Sequence, residues 1–341
     1  MPQLALRRAA TAIATLVLIA MGIGRAPAAE PIHLTLALPV ICFCAAPVYT
    51  ADKLGYFKDE GLDVEIATLN GSGAMFAAIA SGSASFGLTN GMTLLSSVSK
   101  GLSMVAFVGM DHGLGGFNMV VSTAYAQQHG IVERQDYRVA MRKLAGARIG
   151  VVGTTTTGGL LLTGVARQIG LPDDALKLIA MTPPAANAAL LHGEIDAWWQ
   201  PAVGVGGVVA FRSANLPQIK DTVGNVLFTT RDYVAKNPDV VSRMARAIAR
   251  GDNALLDPKT QSRALESVYE RMPNLPRDEV KAEVLDPTAE TLVSNGKLTV
   301  SAFDVTNRVG TQFGLVPQLL TPEQLRSVYT LDFVPKRYIR P

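Results

Sequence analysis

The chain has little of what most catalytic and metal-binding sites require. Its 341 residues include 2 cysteines and 4 histidines. No histidine pair has the spacing of a metal site, and no serine, histidine and aspartate order indicates a hydrolase. The formal net charge is +3, and no basic patch of the kind that binds nucleic acid is present. These absences argue against a metalloenzyme, a hydrolase and a nucleic-acid-binding protein.

Long apolar runs are also scarce, and the clearest one lies at the start of the chain. Two arginines precede the uncharged stretch 9–24, and Ala-Pro-Ala at 26–28 has the small-x-small form of a cleavage site. We interpret 1–28 as an export signal that is cleaved near Ala28. The alternative is a retained membrane anchor, although the stretch is short for a spanning helix. Without 1–28, the chain carries 28 basic and 28 acidic residues.

The two cysteines, Cys42 and Cys44, are separated by one residue. An exported chain permits a disulfide, but a bond between residues two apart closes a tight ring with poor geometry. We therefore favour two small apolar side chains in a loop. The alternative is a thiol-lined ligand pocket or a soft-metal site, for which the chain lacks a third ligand at motif spacing. We predict no metal and no cofactor.

Strand and helix patterns alternate along the chain. An apolar strand at 33–38 is followed by a helix that begins near Pro47 and ends at Gly55, which suits a left-handed cap. Alternation over 62–66 predicts the second strand. The pattern continues and predicts an α/β fold with largely parallel sheets. Further strands are predicted at 85–88, 104–109, 117–122, within 144–152, and at 176–180, 195–198 and 226–229, and helices at 74–81, 93–100, 158–169, 184–191, 238–256, 263–271, 277–285 and 300–314. The polar stretch 127–142 is interpreted as a surface insertion.

Three segments carry a family resemblance. Residues 47–65 read P-x-Y-x-A-x-x-x-G-Y-F-x-x-E-G-L-D-V-E, residues 144–155 read L-x-G-x-R-I-G-V-x-G-T-T with G-E-I-D-A-W at 193–198, and residues 237–250 read N-P-D-V-V-x-x-M-x-x-A-I-A-R. In this order they resemble periplasmic substrate-binding proteins of the nitrate, sulfonate and taurine class. Relatives named for thiamine-pyrimidine synthesis belong to the same group.

The resemblance implies a type II periplasmic-binding-protein fold, with two α/β domains and a ligand cleft between them. Domain one would hold 29–118 and 226–341, and domain two would hold 119–225. Two crossovers would form a hinge at which domains close around a ligand. His112 falls near the first crossover, where a hinge or cleft role competes with a purely structural one.

The function implied by this resemblance is capture and delivery. The protein would be a periplasmic monomer that binds a small organic anion, such as a sulfonate or an aromatic or aliphatic carboxylate. It would pass the anion to the permease and ATPase complex of an ABC importer in the inner membrane, without chemistry. The alternatives are a thiamine-pyrimidine-related binding protein or enzyme, and a periplasmic sensor for a membrane kinase.

Loops that follow strands supply the candidate ligand contacts. The threonine loop, residues 153–157, joins a strand to a helix, so that backbone N–H groups, four hydroxyls and the helix dipole can hold an anion. Ordinary N-capping by threonine is the alternative. The loops at 71–73 and 89–91 repeat this arrangement, or are tight turns. The predicted contacts in these loops are Thr154, Thr155, Thr156, Thr157, Gly71, Ser72, Thr89 and Asn90.

Aromatic and apolar residues supply the other predicted contacts. The loop 39–46 is apolar where relatives often have polar residues, and Cys42 and Phe43 are predicted to line the cleft against an apolar ligand body. Packing beneath the sheet is the alternative. Of Trp198 and Trp199, we expect one to stack on the ligand and the other to belong to the core. Gln200 can donate or accept a hydrogen bond there.

Overall fold

The computed structural model describes residues 30–69, 71–111, 113, 117–200, 206–285 and 298–333. The predicted export signal and His112 lie outside the described residues. The strands are β1 (Ile32–Leu38), β2 (Leu62–Thr68), β3 (Phe86–Asn90), β4 (Met104–Gly109), β5 (Asn118–Val121), β6 (Arg148–Val151), β7 (Lys177–Ala180), β8 (Ala197–Gln200), β9 (Val208–Arg212) and β10 (Asn225–Thr230).

Helices follow most of these strands. They are α1 (Ala46–Lys53), α2 (Tyr56–Asp59), α3 (Gly71–Ser81), α4 (Gly91–Ser99), α5 (Thr123–His129), α6 (Tyr137–Lys143), α7 (Thr157–Gln168), α8 (Pro183–Leu191), α9 (Arg231–Lys236), α10 (Pro238–Leu256), α11 (Gln261–Arg271), α12 (Arg277–Leu285), α13 (Val300–Gln312) and α14 (Pro322–Arg326). Short 3-10 turns lie at Phe43–Ala45 and Ser213–Asn215. Within the described part of the chain, no helix has the length and apolar character needed to cross a membrane.

The first β-α-β unit forms for local reasons. Pro47 lies in the first turn of α1, where a missing N–H costs no hydrogen bond. Gly55 then adopts φ 76° and ψ 16°, in the left-handed region that glycine tolerates. Phe57 is buried as the chain turns into β2. The predictions of a helix starting near Pro47 and a left-handed Gly55 are confirmed.

The strands form two five-stranded sheets. The first has the order β2-β1-β3-β10-β4, and the second has the order β7-β6-β8-β5-β9. The prediction of largely parallel sheets is wrong in part. Strand β10 runs antiparallel to both β3 and β4, and β5 runs antiparallel to both β8 and β9. These two strands enter directly from a crossover and have no preceding helix to reverse the chain.

The two crossovers connect the sheets. The chain leaves the first sheet after β4 and enters the second at β5, and it returns from β9 to β10. The predicted domain limits at 118 and 225 fall at these crossovers and stay a prediction. The chain directly after α13 also reaches the second sheet, since Phe313 and Leu315 belong to the buried cluster that holds Ile149 and Trp199.

Three observed elements, α5, α6 and β9, differ from the elements predicted from the sequence. The stretch 127–142 is not simply an insertion, because it contains the end of α5 and most of α6. Helix α6 buries Tyr137, Ala140 and Met141, which are spaced to fall on one face. Strand β9 also lies outside the predicted elements. It completes the second sheet, and its register with β5 contains an irregularity between Met119 and Val120.

Candidate functional site

Several of the predicted ligand contacts lie where strands end at one edge of each sheet. In the first sheet the parallel strands β1 and β3 end at the same edge. The loop with Cys42 follows β1, and Asn90 is the last residue of β3. In the second sheet β6 and β8 end together, followed by the threonine loop and ending at Gln200. We call these the carboxyl edges. Ligands of open α/β sheets bind outside such edges.

A hydrogen bond brings the two edges together. The hydroxyls of Thr93 and Thr157 lie 3.3 Å apart. Thr93 is in the first turn of α4, after β3, and Thr157 opens α7, after β6. The Asn90 side chain caps α4 by accepting from the backbone N–H of Thr93 at 2.9 Å. The N-terminal ends of two helices, one from each sheet, therefore meet here.

The threonine loop has a specific conformation. The Thr156 hydroxyl donates to the backbone oxygen of Gly153 at 2.7 Å, and Thr156 makes no side-chain cap to α7. The Thr156 hydroxyl therefore does not accept a hydrogen bond from a backbone N–H of α7, as an ordinary N-cap would. Thr154, Thr155 and Thr156 are exposed. A Cβ at Gly159 would lie 2.4 Å from the Gly153 oxygen, so only glycine lets the loop fold so closely over α7.

Both tryptophans are core residues in this structure. Trp198 is 1% exposed and Trp199 is 0% exposed, on opposite sides of the second sheet. The Trp199 indole N–H donates to the backbone oxygen of Gly158 at 3.0 Å. Neither indole presents an open face, which corrects the expectation that one of them is available to stack on a ligand. A contact between Gln200 and a ligand stays a prediction.

The cysteines are bonded to each other. Cys42 and Cys44 form a disulfide with Cα atoms 5.2 Å apart, which corrects the interpretation as free thiols. The separation lies within the usual range for disulfides. It arises because Cys42 is extended, at φ −145° and ψ 158°, immediately before the 3-10 turn. The neighbouring Val40 and Ile41 are 56% and 47% exposed, at the carboxyl edge of the first sheet.

The other predicted loop contacts are more buried, or more involved in regular structure, than the sequence patterns indicated. Gly71 and Ser72 belong to the first turn of α3 rather than to a loop before it. The Gly71 N–H donates to the Pro39 oxygen at 3.1 Å, which ties the end of β2 to the end of β1. Thr89 is 3% exposed. Phe43 is partly buried and packs on the cluster that contains Val280 of α12.

The crossovers contain a buried acid that sequence reasoning missed. Asp111, after β4, accepts hydrogen bonds from the Asn225 backbone N–H and, at 2.7 Å, from the Asn225 side chain. Burial raises the pKa of Asp111 to about 7, although the bonds from Asn225 act in the opposite direction. A Cβ at Gly224 would fall 2.6 Å from the Gly113 oxygen. The two crossovers are therefore packed directly against each other.

A charged pair at the same edges was also missed. Arg212 ends β9, and its pairing with Asn118, opposite Gln200, places it at the carboxyl edge of the second sheet. One Arg212 Nη atom lies 3.9 Å from a carboxylate oxygen of Glu283, on α12. Arg212 and Glu283 are 71 positions apart in the sequence, so local spacing could not have paired them.

Two mixed α/β sheets joined by two crossovers are the arrangement of the periplasmic-binding-protein fold. Solved structures with this arrangement include the periplasmic aliphatic sulphonate binding protein SsuA of Escherichia coli, at 18% identity and a TM-score of 0.65 over 87% of this chain and 96% of that one. The periplasmic nitrate-binding protein NrtA of Synechocystis PCC 6803 matches at 14% identity and 0.65, over 91% of each chain.

A third structure is the alkanesulfonate-binding protein SsuA of Xanthomonas axonopodis pv. citri bound to MOPS, at 14% identity and a TM-score of 0.65 over 89% of this chain and all of that one. The chain belongs to the NMT1/THI5-like family, whose model matches residues 43–261. No curated protein matches the chain. The resemblance and the fold expected from the three sequence segments are thus confirmed.

Proposed function

We propose that this protein is the periplasmic solute-binding component of an ABC importer and captures a small organic anion between the two carboxyl edges. The main support is the hydrogen bond between Thr93 and Thr157, because it joins the N-terminal ends of α4 and α7 at those edges. Helix N-termini favour anions through unpaired N–H groups and the helix dipole. The anion would be released to the permease when the crossovers let the edges separate.

The ligand combines an acidic head with an apolar body. The exposed Thr154 and Thr155 and the first-turn N–H groups of α7 would hold a sulfonate or carboxylate through neutral donors. Val40 and Ile41 supply exposed apolar surface on the first sheet's edge. A bare inorganic anion such as nitrate has no surface to place against these two side chains. An aromatic or aliphatic sulfonate or carboxylate does.

A thermal-shift screen of the mature protein tests this proposal. The compounds are taurine, butanesulfonate, benzenesulfonate, benzoate, hexanoate, nitrate and an aminopyrimidine, and chromatography then follows any stabilising compound over hours. We expect an organosulfonate or carboxylate to raise the melting temperature and to be recovered unchanged. Recovery of a product would instead favour an enzyme related to thiamine-pyrimidine synthesis, to which the family name points. Stabilisation by the pyrimidine alone would also contradict the proposal.

A further inference from the structure

Trp199 lies between the crossovers and the threonine loop. Its ring stacks on Phe117, with centroids 5.7 Å apart and planes 19° from parallel. A second contact, to Phe211 at the end of β9, has centroids 5.5 Å apart. Phe117 is the residue by which the first crossover enters β5. Trp199 is thus packed between residues at the entry to β5 and the end of β9.

Phe117 is itself held by the second crossover. Its N–H donates to the Ser213 hydroxyl at 3.2 Å, and the Ser213 N–H donates to the Phe117 oxygen at 2.8 Å. Ser213 is completely buried and directly follows β9. A change in the path of either crossover would therefore displace Phe117, and the ring stacked on it.

On its other side Trp199 holds the threonine loop. The indole N–H reaches the oxygen of Gly158, which is the second residue of α7 and is buried. The next residue, Gly159, lies directly under the carbonyls of Gly153 and Thr154. The position of the first turn of α7 therefore determines the position of the loop, and Trp199 is bonded to that turn.

We propose that Trp199 is a positioning residue that transmits movement of the two crossovers to the threonine loop. The inference rests on the proposed function in that the loop is taken as the ligand contact. It adds a route by which closure of the edges and the geometry of the anion contacts are coupled. Packed side chains carry such coupling when both ends move as units.

Trp198 provides a matched comparison. It neighbours Trp199 in the same strand and is equally buried, but its side chain enters the cluster of Ala186, Leu190 and Ile195 on the other side of the sheet. The chain contains two tryptophans. Substitution of each by phenylalanine keeps an aromatic ring in place and removes one indole N–H.

Hydrogen exchange of the unliganded protein, followed by mass spectrometry, tests the inference without any ligand. In W199F we expect the hydrogen-bonded amides at 156 and 160–163 to exchange at least threefold faster than in the parent, because the bond that holds the first turn of α7 at Gly158 is lost. W198F should leave them unchanged. The substitution F117L should accelerate the same amides, although it alters the far side of Trp199. Circular dichroism and the melting temperature establish that each variant is folded.

Unchanged exchange of the amides at 156 and 160–163 in F117L would overturn the inference, even if W199F were too unstable to measure. Equal acceleration in W198F and W199F would also overturn it, since that result indicates general loosening of the sheet. Because the exchange experiment uses no ligand, a negative result would reject the role of Trp199 without bearing on the proposed function, which the thermal-shift screen tests separately. A failed screen with accelerated exchange would instead reject the proposed function and keep the structural link.

Discussion

Arg212 and Glu283 carry opposite charges on the two halves of the fold and lie 3.9 Å apart. Arg212 ends a strand of the second sheet, whereas Glu283 is on α12, which packs beside the 3-10 turn of the first sheet's edge. Their side chains are 17% and 6% exposed. Solvent therefore screens this pair less than a surface pair. The pair bridges the same two halves as the bond between Thr93 and Thr157.

This pair predicts a shift between closed and open forms. Arg212→Gln or Glu283→Gln should enlarge the radius of gyration measured by X-ray scattering of the unliganded protein, because each leaves one buried charge without this partner. The free energy of unfolding should fall by about 1–3 kcal/mol, which is less than the roughly 3–5 kcal/mol lost when a fully buried pair is broken, because the two charges are 3.9 Å apart and Arg212 is partly exposed. The exchanged variant, Arg212→Glu with Glu283→Arg, should recover part of both losses.

The matched control is an ion pair within the first half of the fold. Arg246 and Glu60 lie 2.6 Å apart, with side chains 24% and 15% exposed. Arg246→Gln should reduce stability without enlarging the radius of gyration. If Arg212→Gln and Arg246→Gln change the scattering equally, or if Arg212→Gln does not change it, the pair does not hold the halves together.

Asp111 predicts a pH dependence of stability. Burial raises its pKa to about 7 in the folded protein, whereas an unfolded aspartate titrates near 4. The folded state therefore binds the extra proton, and the stability it contributes is present below about pH 4 and is lost as pH rises through about 7. Over that range this group should lower the free energy of unfolding by at most about 4 kcal/mol.

Urea unfolding at a series of pH values measures this effect. Asp111→Asn should reduce the fall in stability between about pH 4 and pH 7, since the amide does not titrate there. Asp173→Asn is the control, because Asp173 is an exposed acid paired with Arg167, whose hydrogen bond lowers the pKa of Asp173. A fall that is as large in Asp111→Asn as in the parent would contradict the assignment.

The threonine loop predicts a loss of affinity. Thr155→Ala together with Thr156→Ala should weaken the anion found in the screen by about 1–3 kcal/mol, the cost of lost hydrogen bonds. Part of that loss would come from the bond between Thr156 and the Gly153 oxygen, which shapes the loop. Calorimetric titration gives the value. Thr321→Ala, which removes the cap of α14, should leave affinity unchanged. Unchanged affinity in the double variant would remove the loop from the site.

The disulfide predicts the accessibility of both thiols. Under denaturing conditions without reductant, iodoacetamide should add no label, and after reduction it should add two, since Cys42 and Cys44 are bonded. Intact mass spectrometry distinguishes the two results. The variant with both cysteines changed to serine should bind an organic anion less tightly, because the loop that presents Val40 and Ile41 is no longer cross-linked. Two labels without reduction would show that the bond is absent.

Much of the fold was predictable because its signals are local. Pro47, Gly55 and the alternating residues of β2 each determine structure within a few neighbours. Strand direction was not predictable in the same way. Whether β10 pairs antiparallel with β3 depends on a partner more than 130 residues away. Helix α6 did carry a signal, in the spacing of its three buried residues, but polar neighbours obscured it.

The candidate site was predictable only as a set of loops. The threonine loop lies at a carboxyl edge because a strand and a helix flank it, and both were visible as patterns. Side-chain burial is decided by packing across the sheet. The sequence alone therefore could not show that Trp198 and Trp199 are both buried in the core. The partners Arg212 and Glu283, and Asp111 and Asn225, meet only through the topology.

The place of β10 between β3 and β4 sets an order of assembly. The first sheet lacks its inner strand until the chain through residue 230 is available for folding, whereas all five strands of the second sheet lie between Asn118 and Arg212. As the chain emerges from its amino end, the second sheet can therefore be completed while the first is still open at β3 and β4. A chain that stops before β10 would leave two unpaired strand edges, which are templates for aggregation.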